Sequence, residues 1–216
     1  QIYKLIAWYY GNKYMDKEFI IGIPLRDFRD PMTRLSNELS LNKRVELMQY
    51  MLLNIVNAFQ DQNVEIFCIT KDSLVIKYCN KIEIPTFVSK SKGLSNETSE
   101  FLISNNDYEG WTICHADLPY LTKYYAKNWI NECLKNEIVI SESKDSGTPI
   151  IGGKSYIKKF QYGKNSYKKH TEYFEKENIS FKKVFHQELS FEVDDSEDYK
   201  ELLKNKPRWF RKIASD

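Results

Sequence analysis

"GWTICHADLP", Gly110 to Pro119, is an apolar run that closes on a histidine, an aspartate and a proline. It is short enough for a buried strand, and Pro119 stands where the chain must turn. Asp117 is therefore expected at a strand's carboxyl end, the edge at which open α/β sheets bind ligands. Outward from this stretch, "FIIGIP" (Phe19 to Pro24) and "VEIFCIT" (Val64 to Thr70) read as further buried strands. Between them, with Ser40 as N-cap, Leu41, Val45, Met48, Leu52, Ile55 and Phe59 recur at spacings of three and four, which predicts an amphipathic helix with a core-facing stripe. "DSLVIKYCN" reads as a short helix, "IPTFV" as a third strand, Thr122 to Leu134 as a helix, "EIVIS" as a strand, and a helix opens at about Ser166. "KDSGTPIIGG" reads as a loop, and "LSFEVDDSEDYKELL" as a strand feeding a helix capped by Asp195 or Ser196. The alternation predicts an α/β domain with a mostly parallel central sheet flanked by helices.

The 216 residues, 42% of them hydrophobic, suffice for one domain with a proper core. No repeat or composition break marks a second one. A formal charge of only +2 argues against a surface built for nucleic acid. Residues 154 to 183 nevertheless hold nine lysines and three glutamates, which suits either a phosphorylated small molecule or a solvated helix face. Cys68, Cys79, Cys114 and Cys133 form no CxxC pair and are expected as buried thiols of a cytoplasmic protein. No apolar run approaches the roughly 18 residues that span a bilayer, so no membrane partner is expected. "QIYKLIAWYY" lacks the marks of a signal peptide.

Several residues are candidates for chemistry. Asp117 and Asp194 are each expected at or just beyond a strand end, and two such carboxylates can hold Mg2+; a turn aspartate or helix cap explains either one equally simply. "DSGTP" (Asp145 to Pro149) and Gly152–Gly153 place glycines where backbone amides can approach a ligand, although such turns also occur in loops that bind nothing. Past the first strand, "PLRDFRDPMTRLS" carries Arg26, Arg29 and Arg34, whose guanidinium forks suit a triphosphate or, alternatively, surface ion pairs with Asp27 and Asp30. There is no Walker loop, strand-linked GxGxxG, GxSxG or HExxH, which removes support for P-loop, dinucleotide, nucleophile-elbow and zinc chemistry.

The order "IPLRDFRDPMTRLS", "GLSNE", "HADLPYLT", "DSGTP", "FQYGKNSYKKH", "FEVDDSEDY" resembles the 2-phospho-L-lactate guanylyltransferase (CofC-like) family of coenzyme F420 biosynthesis, from about Phe19 to Leu203. "ADLPYL" and "FQYGKNSYKKH" fit the family's pattern fully. The resemblance implies a single-domain nucleotidyltransferase fold of the glycosyltransferase-A-like type, spanning 19–206, with 1–18 an extension of unknown role and 207–216 a C-terminal tail. It implies Mg2+ as cofactor, held by Asp117 and Asp194, and GTP as substrate, contacted by Arg26, Arg34, Gly93, Leu94, Ser95 and Asp117. Arg26, Arg34 and Asp117 take the catalytic roles. Gly147, Thr148, Gly163 and Ser166 are expected to contact a phosphorylated acid, 2-phospholactate or phosphoenolpyruvate. Gly163 is expected to permit a tight turn, Ser166 to present a hydroxyl at a helix start, and His170 to share a helix face with Ser166. The chain departs from the family at Met32, Ser95 and Pro149, where a lysine, an asparagine and an asparagine are usual. Two rivals stay in view, a sugar-nucleotide-dependent glycosyltransferase of similar fold and a nucleotide-binding homologue without turnover, the latter favoured by Met32 and Pro149. A homodimer is one option for the oligomeric state.

Overall fold

The computed structural model describes residues 18–212. The expectations for the amino-terminal extension and for residues 213–216 fall outside that span, apart from Glu18. The described chain runs β1 (Phe19–Pro24), a 3-10 turn (Thr33–Leu35), α1 (Leu41–Phe59), β2 (Val64–Ile69), α2 (Ser73–Lys81), β3 (Thr86–Phe87), α3 (Leu94–Ser104) and β4 (Gly110–Cys114). It continues through α4 (Lys123–Lys135), β5 (Ile138–Ser141), β6 (Ile150–Gly153), α5 (Ser166–Lys176), β7 (Phe181–Val184), α6 (Gln187–Ser190), α7 (Ser196–Lys204) and a second 3-10 turn (Arg208–Lys212).

The strands form one sheet in the order β3-β2-β1-β4-β6-β5-β7. All neighbours are parallel except those of β6, which runs antiparallel to both β4 and β5. The order reverses direction at β1, between β2 and β4, so a crevice opens past the carboxyl ends of β1 and β4. Because β6 enters where β4 leaves, with Cys114 opposite Ile150, the β5–β6 loop reaches the same edge.

Strand periodicity sorts the core. Phe19, Ile21 and Ile23 of β1 pack with α1, α2 and α4 on one face, while Ile20 packs with α3 and α5 on the other. Gly22 stands where a Cβ would come within 2.6 Å of Phe101 of α3, so this position of β1 admits α3 only as glycine. Ser40 caps α1, its Oγ accepting from the Lys43 amide at 3.5 Å. A third cluster joins Leu35, Val193, Leu202 and Phe210 to Leu47 and Met51 of α1. It seats the segments bearing Arg34 and Asp194 on the same helix. All four cysteines are buried and free.

Four expectations change. "IIGG" is a buried strand rather than part of a loop, and "IPTFV" pairs only through Thr86 and Phe87. Asp117 lies three residues beyond the last residue of β4, in a turn. "SFEVDD" forms no strand: α6 ends at Ser190, and the Val193 amide donates to the Asp117 carbonyl (3.2 Å) instead of to a ladder. At the start of the C-terminal tail Phe210 is buried, and Trp209 Nε1 donates to the Pro119 carbonyl at 2.8 Å.

Candidate active site

The loop after β1 is fixed before any ligand is considered. Buried Arg44 of α1 donates to Asp30 Oδ1 (2.5 Å) and to the Pro31 carbonyl (2.6 Å). Arg29 is committed to Asp27 (3.1 Å) and to Asp72 (3.3 Å), the residue that caps α2. The two alternatives for this loop therefore divide: Arg29 makes the surface ion pairs, whereas Arg26 and Arg34 are exposed and make no ion pair among the described residues. Met32 adopts a left-handed conformation (φ 49°) at the entry to the turn that carries Arg34.

At the end of β4, His115 Nδ1 meets Glu192 Oε1 at 2.7 Å. Ligand atoms of His115, Asp117 and Glu192 all lie within 4.8 Å of one another. Burial, the negative charge of Glu192 and, further off, that of Asp194 push Asp117 up to about 8, against the opposing pull of His115. Burial works against the charged His115 ring, yet the hydrogen bond and charge of Glu192, with Asp117 and Asp194 behind it, raise it to about 9. Asp194 is also raised, by burial and Glu192, with Arg34 partly offsetting them. Asp117 Oδ1 and His115 Nε2 are buried without a hydrogen-bond partner. Anions crowded to this degree, with an orphaned carboxylate oxygen among them, are what a bound cation relieves; oxygen-rich donors fit a hard divalent ion.

Asp117 and Asp194, paired from the sequence, thus share one electrostatic neighbourhood with Glu192 between them. Glu192 and His115 were not foreseen as site residues. The signal for Glu192 lay in the D-x-D-like spacing of "EVD", with glutamate in the first acidic place. Asp195 is spent as the cap of α7 in a capping box with Asp198, which also pairs with Lys144. A cavity of about 390 Å³ beside the cluster is lined by Arg34, Lys144, Asp145, Glu192 and Asp194 among others. A larger one, about 850 Å³, lies behind the Asp117 turn against Asn54, Leu121 and Trp209 and includes none of the clustered carboxylates, so its size does not make it the site.

The glycine-bearing loop reaches the same cluster. The Gly147 amide donates to Ser143 Oγ (3.0 Å) and Asp145 Oδ1 (3.1 Å), and a Cβ on Gly147 would lie 3.6 Å from Glu192 Oε2. Pro149, where the family usually has asparagine, keeps its carbonyl bonded to the His115 amide at 2.8 Å. Thr148 is buried, and its Oγ1 lies 3.0 Å from His170 Nδ1 and 3.1 Å from Ser166 Oγ. Ser166 therefore does not present a free hydroxyl at the helix start; it is buried and bonded to Thr148. Gly163 supplies the expected turn, at φ 110° with open space around it.

The stretch Phe160–Tyr162 belongs to no strand, yet side chains take all three of its amides. Phe160 N donates to Ser99 Oγ (3.2 Å), Gln161 N to His170 Nε2 (2.8 Å) and Tyr162 N to Ser95 Oγ (2.9 Å). Ser95 and Ser99 stand one turn apart on α3, whose first turn opens at Leu94 after Gly93 (φ 88°). The motif ties the Gly93–Ser95 helix start to Thr148 and α5.

A mixed sheet of this order, with carboxylates gathered at its carboxyl edge, has the nucleotidyltransferase fold. It superposes on a candidate nucleotide-diphospho-sugar transferase of Desulfovibrio desulfuricans with a TM-score of 0.78 at 14% identity, covering 91% of each chain. It also superposes on 4-diphosphocytidyl-2C-methyl-D-erythritol synthase of Anaerococcus prevotii with a TM-score of 0.54 at 16% identity, covering 85% of this chain and 95% of that one. The chain belongs to the guanylyl transferase CofC like family, which matches residues 19–207. It is 30% identical over 197 residues to the 2-phospho-L-lactate guanylyltransferase of Methanosphaera stadtmanae, covering 86% of this chain and 84% of that one.

Proposed function

We propose that the protein transfers GMP from GTP to a phosphorylated three-carbon acid, 2-phospholactate or phosphoenolpyruvate, with release of pyrophosphate, in coenzyme F420 biosynthesis in the cytoplasm. The observation that carries this reading is the Asp117–Glu192–Asp194 carboxylate group, set between the Gly147–Thr148 loop and the Arg34 turn in a chain of this family.

In the reaction an oxygen of the acceptor's phosphate forms a bond to the α-phosphorus of GTP, and the bond from that phosphorus to the β-phosphate oxygen breaks. The acceptor is already an anionic nucleophile, so the chain's task is to align two repelling anions and offset their charge. Arg26 and Arg34, left unpaired by the loop, would contact the triphosphate. Gly93, Leu94 and Ser95 would line the nucleotide side, and Gly147, Thr148 and Gly163 the acceptor side. Ser166 acts behind Thr148 rather than on the ligand. Asp117, Glu192 and Asp194 would hold Mg2+, which when bound neutralises phosphate charge. His115 keeps Glu192 oriented through their hydrogen bond.

The deciding experiment is pyrophosphate release with GTP, ATP, CTP and UTP, each against both acids, in Mg2+ and in chelator. Release with GTP, one of the acids and Mg2+ is expected. GTP binding without turnover would make the chain an inactive nucleotide-binding homologue, and transfer from a sugar nucleotide without pyrophosphate would make it a glycosyltransferase.

A further inference from the structure

A backbone amide can only donate, so the Gln161 N–H bond to His170 Nε2 fixes Nε2 as a lone pair. The ring is fully buried, and burial, which penalises its charged form, lowers its pKa to about 4, so it is neutral. The single ring proton therefore sits on Nδ1 and is donated to Thr148 Oγ1. Ser166 Oγ donates to the same oxygen from its other side. Thr148 Oγ1 accepts twice, which fills both of its lone pairs, and its own proton is left to give.

We infer that His170 is a positioning residue for acceptor recognition: it holds Thr148 as a pure hydrogen-bond donor, its proton kept for an anionic oxygen of the phosphorylated acid. The inference rests on the functional reading above and deepens it. A group that can only donate finds no free lone pair on Thr148, whereas a phosphate or carboxylate oxygen meets a proton oriented by two fixed donors and forms a charge-assisted bond. Ser95 and Ser99 hold the amides on either side of Gln161, so the ring's partner cannot drift.

The test combines kinetics of His170→Gln, Thr148→Val and the double variant with nitrogen NMR of the wild-type histidine rings. His170→Gln is expected to raise the KM for the acid roughly tenfold to a hundredfold, the loss of an oriented bond to a charged group, while kcat at saturating acid and GTP affinity stay near wild type. The double variant is expected to be no worse than Thr148→Val, because His170 acts through that hydroxyl. The His170 ring is expected as the Nδ1–H tautomer at neutral pH. A folded His170→Gln with wild-type KM for the acid, an additive double variant, or a ring protonated at Nε2 each overturns the inference. The ring measurement needs no variant, so it decides even where His170→Gln does not fold. Wild type that releases no pyrophosphate with either acid sinks the functional reading and this inference with it; an active wild type with an indifferent His170→Gln sinks the inference alone.

Discussion

Replacing Asp117 by asparagine is expected to stabilise the metal-free protein while abolishing turnover. In the fold the carboxyl titrates at about 8, against 3.8 for an ordinary aspartate, because it is buried beside Glu192 and Asp194. The raised value means that the native state holds its proton where the unfolded chain has released it. Stability therefore falls as pH rises from about 4 to about 8. At pH 7 roughly three units of that window have been crossed, about 4 kcal/mol at 1.36 kcal/mol per unit. A net gain on the order of 2–4 kcal/mol is expected for Asp117→Asn at pH 7 in chelator. The assay is urea unfolding of both proteins at pH 5 and pH 7, with EDTA or with excess Mg2+. The gap should shrink at pH 5, where only about one unit of that window has been crossed, and shrink again with Mg2+, which binds the native wild type. A variant no more stable than wild type in EDTA, or a gap indifferent to pH, would refute the crowding argument; full turnover would remove Asp117 from the mechanism.

Three further outcomes follow from the geometry. Arg34→Ala should weaken GTP binding about tenfold to a hundredfold, through lost charged contacts worth roughly 1.5–3 kcal/mol, while Arg29→Ala, whose side chain is already paired, should leave it near wild type in calorimetry. Ser95→Ala strips the Tyr162 amide of its acceptor and should cost about 1–3 kcal/mol in urea unfolding; a cost indistinguishable from zero would deny that this bond holds the loop. Trp209→Phe removes one donor from the Pro119 carbonyl, which keeps Asn54 at 3.4 Å, so a smaller loss of about 0.5–1.5 kcal/mol is expected by the same measurement.

The sequence makes the parallel part of the sheet readable because β1, β2, β4 and β5 are short apolar runs, and α1 readable because its stripe repeats at helical spacing. β6 escapes such reading: "IIGG" has two residues without side chains, and only its place between β4 and β5 makes it a strand. "SFEVDD" misleads for the opposite reason. Phe191 and Val193 do face a common core while Glu192 and Asp194 face the site, so the alternation is real, but the Val193 amide is spent on Asp117 and no ladder forms. Asp117 and Asp194 could be picked out as acids near strand ends. Glu192 carried a signal in the D-x-D-like spacing of "EVD", but its contact with His115, 77 positions away, appears only in the fold. Likewise the motif around Gly163 signals a turn and a helix start, but the role of His170 appears only once Gln161 and Thr148 are seen on either side of its ring.

The carboxylate cluster joins Asp117 to Glu192 across the whole β5–β6–α5–β7 passage, and the Thr148 bonds join that passage back upon itself. Contacts of such sequence separation form late, because the closure of long loops must precede them. No fragment ending before residue 192 contains a complete cluster, so on a ribosome catalytic competence arrives only after the last strand has emerged and docked. Regain of activity during refolding should accordingly coincide with the slowest folding phase, and a chain truncated after α5 should be inert however well its first six strands pair.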